Sequence, residues 1–241
     1  MFDTSAKNKS DIKNLWRISM KNTITSFLTL FIAISGTFAT AATLKTETTT
    51  KVYEDAKLVK SVTLQNDDKT EALMTHFSRG LRKKAVFGLV PVRVYVIQLL
   101  AAKPEKLVKT EEGFLASLKE AGPVQLHLTF VRNLPGEKIS DSFKDGLTAN
   151  EVDVKKLSPE LTQVLKEISA ITEFKENETF SLTFNWAPDA TAATVYLTDA
   201  SLKMKTVTGP KLFADQLLSI WFGKSADSKL EDLKKALIKI N

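Results

Sequence analysis

The sequence predicts one α+β domain built on an antiparallel β-sheet. Segments with the periodicity of strands and segments with that of helices come in groups along the chain instead of alternating, which favours an antiparallel sheet over a βαβ arrangement. Apolar residues alternate in the strand segments and recur every three or four residues in the helix segments. The prolines are scattered singly and no linker interrupts the chain after residue 57, so we expect a single domain over residues 58–241.

Residues 1–41 are predicted to be a secretory signal peptide. A basic residue precedes a stretch of apolar and small residues at 23–39, and Ala39-Thr40-Ala41 supplies the small residues that a signal peptidase requires. We therefore expect the mature protein in the periplasm or outside the cell. The alternative is an uncleaved membrane anchor, although the apolar stretch is shorter than the roughly 20 residues of a spanning helix.

Two further boundaries lie near this leader. Met20 resembles a translation start in its own right, so residues 1–19 are either part of the leader or an upstream extension. Residues 42–57 follow the leader, and their threonine-rich beginning is typical of a loose lead-in segment.

The first half of the domain is predicted to consist mostly of strands. Residues 58–64, 86–99 and 123–131 are rich in Val, Leu, Phe and Tyr, and a short helix is predicted at 112–121. The third of these strands alternates well and places His127 on the face opposite its apolar residues. In the second strand, the same alternation puts Val92, Val94 and Val96 on one face and Arg93, Tyr95 and Ile97 on the other.

The second half contains two pairs of helices separated by strands. The predicted ranges are 135–147 and 158–171 for the first two helices, 179–186, 193–197 and 202–207 for three strands, and 210–222 and 229–240 for the last two helices. Each helix has one apolar stripe and therefore needs a partner surface. Trp221 and Phe222 are expected in the core.

Composition and charge exclude several classes of function. Half of the formal net charge of +6 comes from the first 41 residues, and the longest basic run is Arg82-Lys83-Lys84, so no nucleic-acid surface is predicted. The chain has no cysteine, which excludes disulfides and thiol nucleophiles. Its two histidines, His76 and His127, have no partners at the spacing of metal ligands. We predict neither a metal nor a cofactor, and we expect a monomer.

Three segments, in the right order and spacing, resemble the chalcone isomerase family. The first is Gly80-Leu81-Arg82 with the strand that ends near Tyr95, the second is FVRN at 130–133 with the helix start at Glu137-Lys138-Ile139, and the third is LLSIWFGK at 217–224. The likeness covers roughly residues 58–240 and is strongest to exported bacterial members. It implies an open-faced β-sandwich, in which one large antiparallel sheet carries a layer of helices on one face.

The resemblance also implies a site that keeps two cations and loses two hydroxyl groups. Plant enzymes of the family cyclise a chalcone to a flavanone with an Arg, a Thr, a Tyr and a Lys. In this sequence the Arg and the Lys fall on Arg82 and Lys138, whereas the Thr falls on Val90 and the Tyr on Pro135. An Asn of the family falls on Ser142. We therefore expect that the protein is not a true chalcone isomerase.

We predict that Arg82, Lys138, Tyr95 and Ser142 bind a ligand in a cleft between the sheet and the helices. A guanidinium and an ammonium beside apolar residues suit a small amphipathic or aromatic acid, and the pattern resembles that of some family relatives that lack isomerase activity and bind fatty acids. Lys138 and Ser142 are four residues apart on one helix and so share a face. As structural alternatives, Arg82 is a solvated strand end, Tyr95 is a core residue, and Lys138 and Ser142 face water. Arg79 is expected to be solvated.

Two other functions are alternatives to binding. An isomerase, formally an intramolecular lyase, would act on a chalcone-like phenolic or enone substrate through Arg82 and Lys138, although no catalytic residue is assigned. A structural or partner-binding protein of the cell envelope is the other alternative. The loss of the two hydroxyl groups favours binding, because transition-state hydrogen bonds carry much of the rate of such a reaction.

Overall fold

The computed structural model describes residues 42–86 and 90–239, and its centre is one antiparallel sheet. Eight strands lie side by side in the order of the chain. They are β1 (Thr43–Tyr53), β2 (Ala56–Gln65), β3 (Glu71–Val86), β4 (Val90–Ala101), β5 (Val124–Phe130), β6 (Thr179–Trp186), β7 (Ala192–Thr198) and β8 (Met204–Pro210). The predicted α+β class with a large antiparallel sheet is confirmed.

Helices from the described part of the chain pack on one face of this sheet. They are α1 (Glu111–Ser117), α2 (Gly136–Ala149), α3 (Pro159–Ser169), α4 (Lys211–Phe222) and α5 (Ser228–Ile238), with a 3-10 turn at Pro104–Lys106. The start of α3 follows the predicted signal, since the Ser158 hydroxyl accepts a hydrogen bond from the Leu161 amide at 3.3 Å. Trp221 and Phe222 on α4 are buried, as expected.

The main core lies between the helices and alternate residues of the central strands. On β5, the residues Val124, Leu126, Leu128 and Phe130 all belong to this core, which confirms the predicted alternation. Burial of such side chains contributes roughly 1.5–3 kcal/mol each. This apolar layer fixes α2 and α4 over the sheet and so positions the pocket described below.

A β-bulge at Val94 changes which side chains of β4 face the helices. Tyr95 pairs with Arg82, whereas Arg93 pairs with the next residue, Lys83, so Val94 is the additional residue. Tyr95 belongs to the core under the helices, and Val94 packs against the same core. The prediction that Val94 and Tyr95 face opposite sides is therefore wrong, because a bulge interrupts the alternation.

Two strands differ from the sequence prediction. β1 occupies most of residues 42–57, which we expected to be a lead-in segment. β3 spans Glu71–Val86, whereas the sequence predicted a strand there only from residue 86 onward. Alternation in β3 is interrupted at Phe77, which has no partner between the paired His76 and Ser78. The predicted signal peptide, residues 1–41, lies outside the described residues.

The opposite face of the sheet is closed in part by its own curvature. Gln98 in β4 accepts a hydrogen bond from the Val59 amide at 2.8 Å and donates one to the Lys57 carbonyl at 3.1 Å, which holds β2 across this face. A second apolar cluster, which includes Leu100 of β4 and Tyr196 of β7, lies inside this curl. The sheet is thus curled like half of a barrel. No described helix is both long and apolar enough to cross a membrane.

The outer end of the β3–β4 hairpin extends beyond the neighbouring strands. β2 pairs with β3 only as far as Thr75, and β5 pairs with β4 only as far as Tyr95. Within the described residues, 83–86 and 90–93 therefore pair only with each other. We call these two stretches the hairpin ribbon.

Candidate ligand pocket

A pocket of about 460 Å³ lies between the outer ends of β3 and β4 on one side and α2 on the other. Its volume is in the range of pockets that hold small-molecule ligands, about 300–1,000 Å³. The four residues predicted to bind a ligand, Arg82, Tyr95, Lys138 and Ser142, all line it. The structure therefore brings together side chains that come from three separate elements.

Arg82 is a buried side chain with an internal partner. Its guanidinium makes a two-pronged ion pair with Asp227, with Nη1 to Oδ1 at 2.8 Å and Nη2 to Oδ2 at 2.5 Å, and Nη1 also donates to the carbonyl of Lys83. The residue is 4% exposed. The alternative of a solvated strand end is therefore wrong. Two of the five guanidinium N–H groups have no acceptor in the described part of the chain, and the side chain lines the pocket.

Asp227 has a second structural role beside its pairing with Arg82. Its carboxylate caps α5, where Oδ1 accepts a hydrogen bond from the Leu230 amide at 2.8 Å. Partial burial opposes ionisation of Asp227, but the hydrogen bonds from Arg82 and Leu230 outweigh it and hold the pKa of the carboxyl below its ordinary value. The carboxylate thus stays charged and anchored at neutral pH, and it offsets the charge of Arg82.

Tyr95 combines a core position with a polar group at the pocket. Its ring packs edge-on against Phe130, and its hydroxyl oxygen accepts a hydrogen bond from Trp221 Nε1 at 3.1 Å. Burial raises the pKa of the hydroxyl, so it keeps its proton at neutral pH. Among the described residues that proton has no acceptor, and it is available to a ligand in the pocket.

Lys138 and Ser142 lie on the side of α2 that borders the pocket, as their spacing predicted. Lys138 is exposed and Ser142 is half-buried. Within the described part of the chain, Lys138 has no ion-pair partner. Asp141 also lines the pocket, but its carboxylate contacts Lys144 Nζ at 3.1 Å. The helix therefore presents an uncompensated ammonium to the mouth of the pocket.

Two further cations at the pocket are absent from the predicted set. Arg132 is exposed at the mouth, and Lys84 lies on the hairpin ribbon, where Asp145 is 3.6 Å from its ammonium. The signal for Arg132 was present, because it belongs to the FVRN segment that carries the family resemblance. Asp227 had no signal, since 145 positions separate it from Arg82.

Carbon forms most of the remaining wall. The apolar residues of this wall are Ala85, Val92, Val94, Leu134, Ile139 and Phe143. The bulge at Val94 matters here, because it lets Val94 and Tyr95 both face the pocket. Taken together, the pocket has an apolar interior with cations at its mouth, which suits a molecule with an apolar body and one anionic end.

The two residues at the positions of the plant enzymes' Thr and Tyr supply no hydroxyl group to the pocket. Val90 is 61% exposed at the outer end of β4, and Pro135 immediately precedes α2.

Within the described residues, no group of three or more His, Cys, Asp or Glu side chains has the geometry of a metal site.

His127 and Arg79 lie away from this pocket. His127 is buried on the face of the sheet opposite the helices, and burial lowers its pKa to about 4. Arg79 is half-buried, with its guanidinium 5.0 Å from the centre of the Tyr53 ring, so the expectation that it is solvated is wrong.

Comparisons with known proteins agree with this architecture. The sequence profile of the chalcone isomerase-like family matches residues 52–238, and the chain belongs to that family. A crystal structure of a fatty-acid binding protein from Arabidopsis thaliana aligns with a TM-score of 0.52 at 16% sequence identity, over 68% of this chain and 86% of that one. At that identity the likeness shows the fold alone. No curated protein gives a significant match.

Proposed function

We propose that the pocket binds an amphipathic acid, such as a fatty acid, between the sheet and α2. The observation that carries this proposal is the combination of an apolar wall with cations at the mouth. The fold shared with a fatty-acid binding protein supports it. The tail would lie along Val94, Leu134, Ile139 and Phe143, and would leave the carboxylate at the polar side of the pocket.

The carboxylate is proposed to contact Lys138, Ser142, Tyr95 and the unused N–H groups of Arg82. Arg82 and Asp227 together carry no net charge, so Lys138, with Arg132 nearby, would supply the attraction for the anion. A hydrogen bond to a charged group contributes about 1.5–3 kcal/mol. Lys138 is therefore the strongest candidate for a measurable contribution to affinity.

Titration calorimetry with a long-chain fatty acid and its methyl ester tests this proposal. We expect the acid to bind at least tenfold more tightly than the ester, and Lys138→Ala to weaken binding of the acid about tenfold or more. Lys166→Ala, at an exposed position on α3 outside the pocket, is the control and should leave affinity unchanged. Equal affinity for acid and ester would contradict the assignment of an anionic ligand.

An isomerase is the second candidate, and the pocket favours it less. Lys138 and the Tyr95 hydroxyl are present, but Val90 and Pro135 supply no hydroxyl, and Arg82 is engaged by Asp227. Each missing transition-state hydrogen bond costs on the order of 100-fold in rate. We infer that the protein holds its ligand without closing a chalcone ring.

We further propose that the chain is exported and that the mature protein begins at Ala42. The basic, apolar and small-residue parts of the leader support this proposal. N-terminal sequencing of the exported protein should give Ala42. A protein that still begins at Met1 or Met20 would identify the leader as an anchor.

A further inference from the structure

We propose that the hairpin ribbon docks on an anionic lipid bilayer, with the mouth of the pocket turned toward the lipid. This proposal goes beyond the identity of the ligand, because it concerns where the protein would exchange that ligand. It rests on three properties of the ribbon: its lack of neighbouring strands, the chemistry of its surface and its place at the mouth.

The ribbon projects from the sheet without strand partners on either side. Its two stretches, 83–86 and 90–93, are each about 13 Å long at the usual rise per residue, and they pair only with each other among the described residues. One anchor at its base is Arg93, which bonds the Glu54 carbonyl and the Asp55 carboxylate of the β1–β2 turn. A two-stranded ribbon is only marginally stable alone, so contact with a further surface would stabilise its outer end.

The surface of the ribbon combines apolar residues at the outer end with lysines next to them. Val90 is 61% exposed, and Ala85 and Pro91 are exposed beside it. Lys83 and Lys84 follow directly along β3 and are also exposed. Within the described residues Lys83 has no ion-pair partner. Apolar residues flanked by basic ones favour the interface of an anionic bilayer, where carbon enters the headgroup region and lysines meet phosphates.

The ribbon also forms one side of the pocket mouth. Lys84, Ala85 and Val92 of the ribbon line the pocket, and so do two exposed cations outside the ribbon, Arg132 and Lys138. Among the described residues that line the pocket, Asp141 is the one with a carboxylate, and it is paired with Lys144. Cations thus outnumber carboxylates in the described part of the mouth, and an anionic lipid surface is complementary to it in charge. A ligand with an acyl tail would then enter from the bilayer without crossing water.

Vesicle co-sedimentation tests this proposal with the mature chain. The probes are phosphatidylcholine vesicles with and without phosphatidylglycerol, and the variant is Lys83→Glu combined with Val90→Asp. Neither residue lines the pocket, so binding of fatty acid in the absence of vesicles should be unchanged. The matched control is Lys109→Glu with Val108→Asp, an exposed pair that follows the other end of β4.

We expect binding to the anionic vesicles only, and a loss of at least tenfold in the ribbon variant, since each lysine near an anionic surface strengthens binding about fivefold. The control pair should bind as the wild type does. Lys83→Glu alone, which leaves the apolar residues intact, should give an intermediate loss. The proposal is overturned if the wild type ignores anionic vesicles or if ribbon and control variants lose binding equally. If the protein binds anionic vesicles but no fatty acid, the proposed function is overturned and the membrane proposal stands.

Discussion

His127 shows how one buried side chain makes the stability of this fold depend on pH. It lies opposite Gln98 on β4 and Ser181 on β6, on the face away from the helices. Burial lowers its pKa to about 4, compared with about 6.5 in an unfolded chain. Between these two values the unfolded state binds more protons than the folded state. The free energy of unfolding must therefore fall as the pH falls through this window.

We predict that His127 lowers the free energy of unfolding by about 3 kcal/mol as the pH falls from 7 to 4. The steepest part of this change is about 1.4 kcal/mol per pH unit. His127→Gln should remove this part of the pH dependence, because glutamine does not titrate. Urea unfolding at several pH values measures the effect. His76→Gln is the comparison: burial also lowers the pKa of His76, so this variant should lose a smaller part of the pH dependence and keep the part due to His127. The same pH profile in His127→Gln as in the wild type would contradict the account.

At the residue scale, the sequence predicted which side chains line the pocket, but it did not predict which of them are already paired within the protein. Arg82, Tyr95, Lys138 and Ser142 do line one pocket, because the family resemblance aligned positions from distant segments. The partner of Arg82 was not predictable, since nothing local to Arg82 indicates that Asp227 folds back to it. The cation that is free to attract an anion is consequently Lys138 rather than Arg82.

At the scale of elements, the Arg82–Asp227 pair ties β3 to the start of α5. A close approach of the two elements accompanies it, since a Cβ atom at Gly80 would lie 2.5 Å from Leu233 Cδ1 of α5. The glycine two residues before Arg82 thus lets the helix pack directly on the strand. The ion pair therefore joins two elements of the fold in addition to any contact with a ligand.

We predict that Arg82→Ala lowers the free energy of unfolding by about 3 kcal/mol, because it leaves a partly buried carboxylate unpaired. Asp227→Asn keeps a helix-capping side chain and removes only the charge, so a double-mutant cycle isolates the ion pair. The control is Lys83→Ala, which should cost less than about 0.5 kcal/mol. Urea denaturation of the four proteins of the cycle and of the Lys83→Ala control provides the free energies of unfolding.

The same pair adds a dependence on pH at acid values. Because the pKa of Asp227 is depressed, its contribution is complete above its unfolded value of about 3.9 and is lost as the pH falls below it. The stability difference between wild type and Asp227→Asn should shrink over that range. A difference that stays constant down to pH 2 would show that the pair is not a source of stability.

Bulges explain why the elements themselves were only partly predictable. The strands β5 and β6 alternate regularly, and the sequence located both. β3 and β4 contain bulges at Phe77 and Val94, and each bulge breaks the period of two on which strand prediction depends. The wall of the pocket depends on the second bulge, so its geometry could not be derived from alternation alone.

At the scale of the whole molecule, the architecture was predictable because the order of elements and the family resemblance agree. Both imply an antiparallel sheet with helices on one face, and the chain has this fold. The curl of the sheet and the projecting hairpin ribbon were not predictable, because they depend on how far each strand pairs with its neighbours. These same features create the pocket between the sheet and α2.

The most direct test of ligand binding is a substitution that fills this pocket. Ser142→Trp places a large ring in the space between α2 and β4, whereas Thr148→Trp adds the same ring at an exposed position on the same helix. Calorimetric titration with a long-chain fatty acid should show saturable one-to-one binding to the wild type and to Thr148→Trp, and at least tenfold weaker binding to Ser142→Trp. A wild type without affinity for the acid, or undiminished binding to Ser142→Trp, would contradict the central claim that this pocket holds an amphipathic acid.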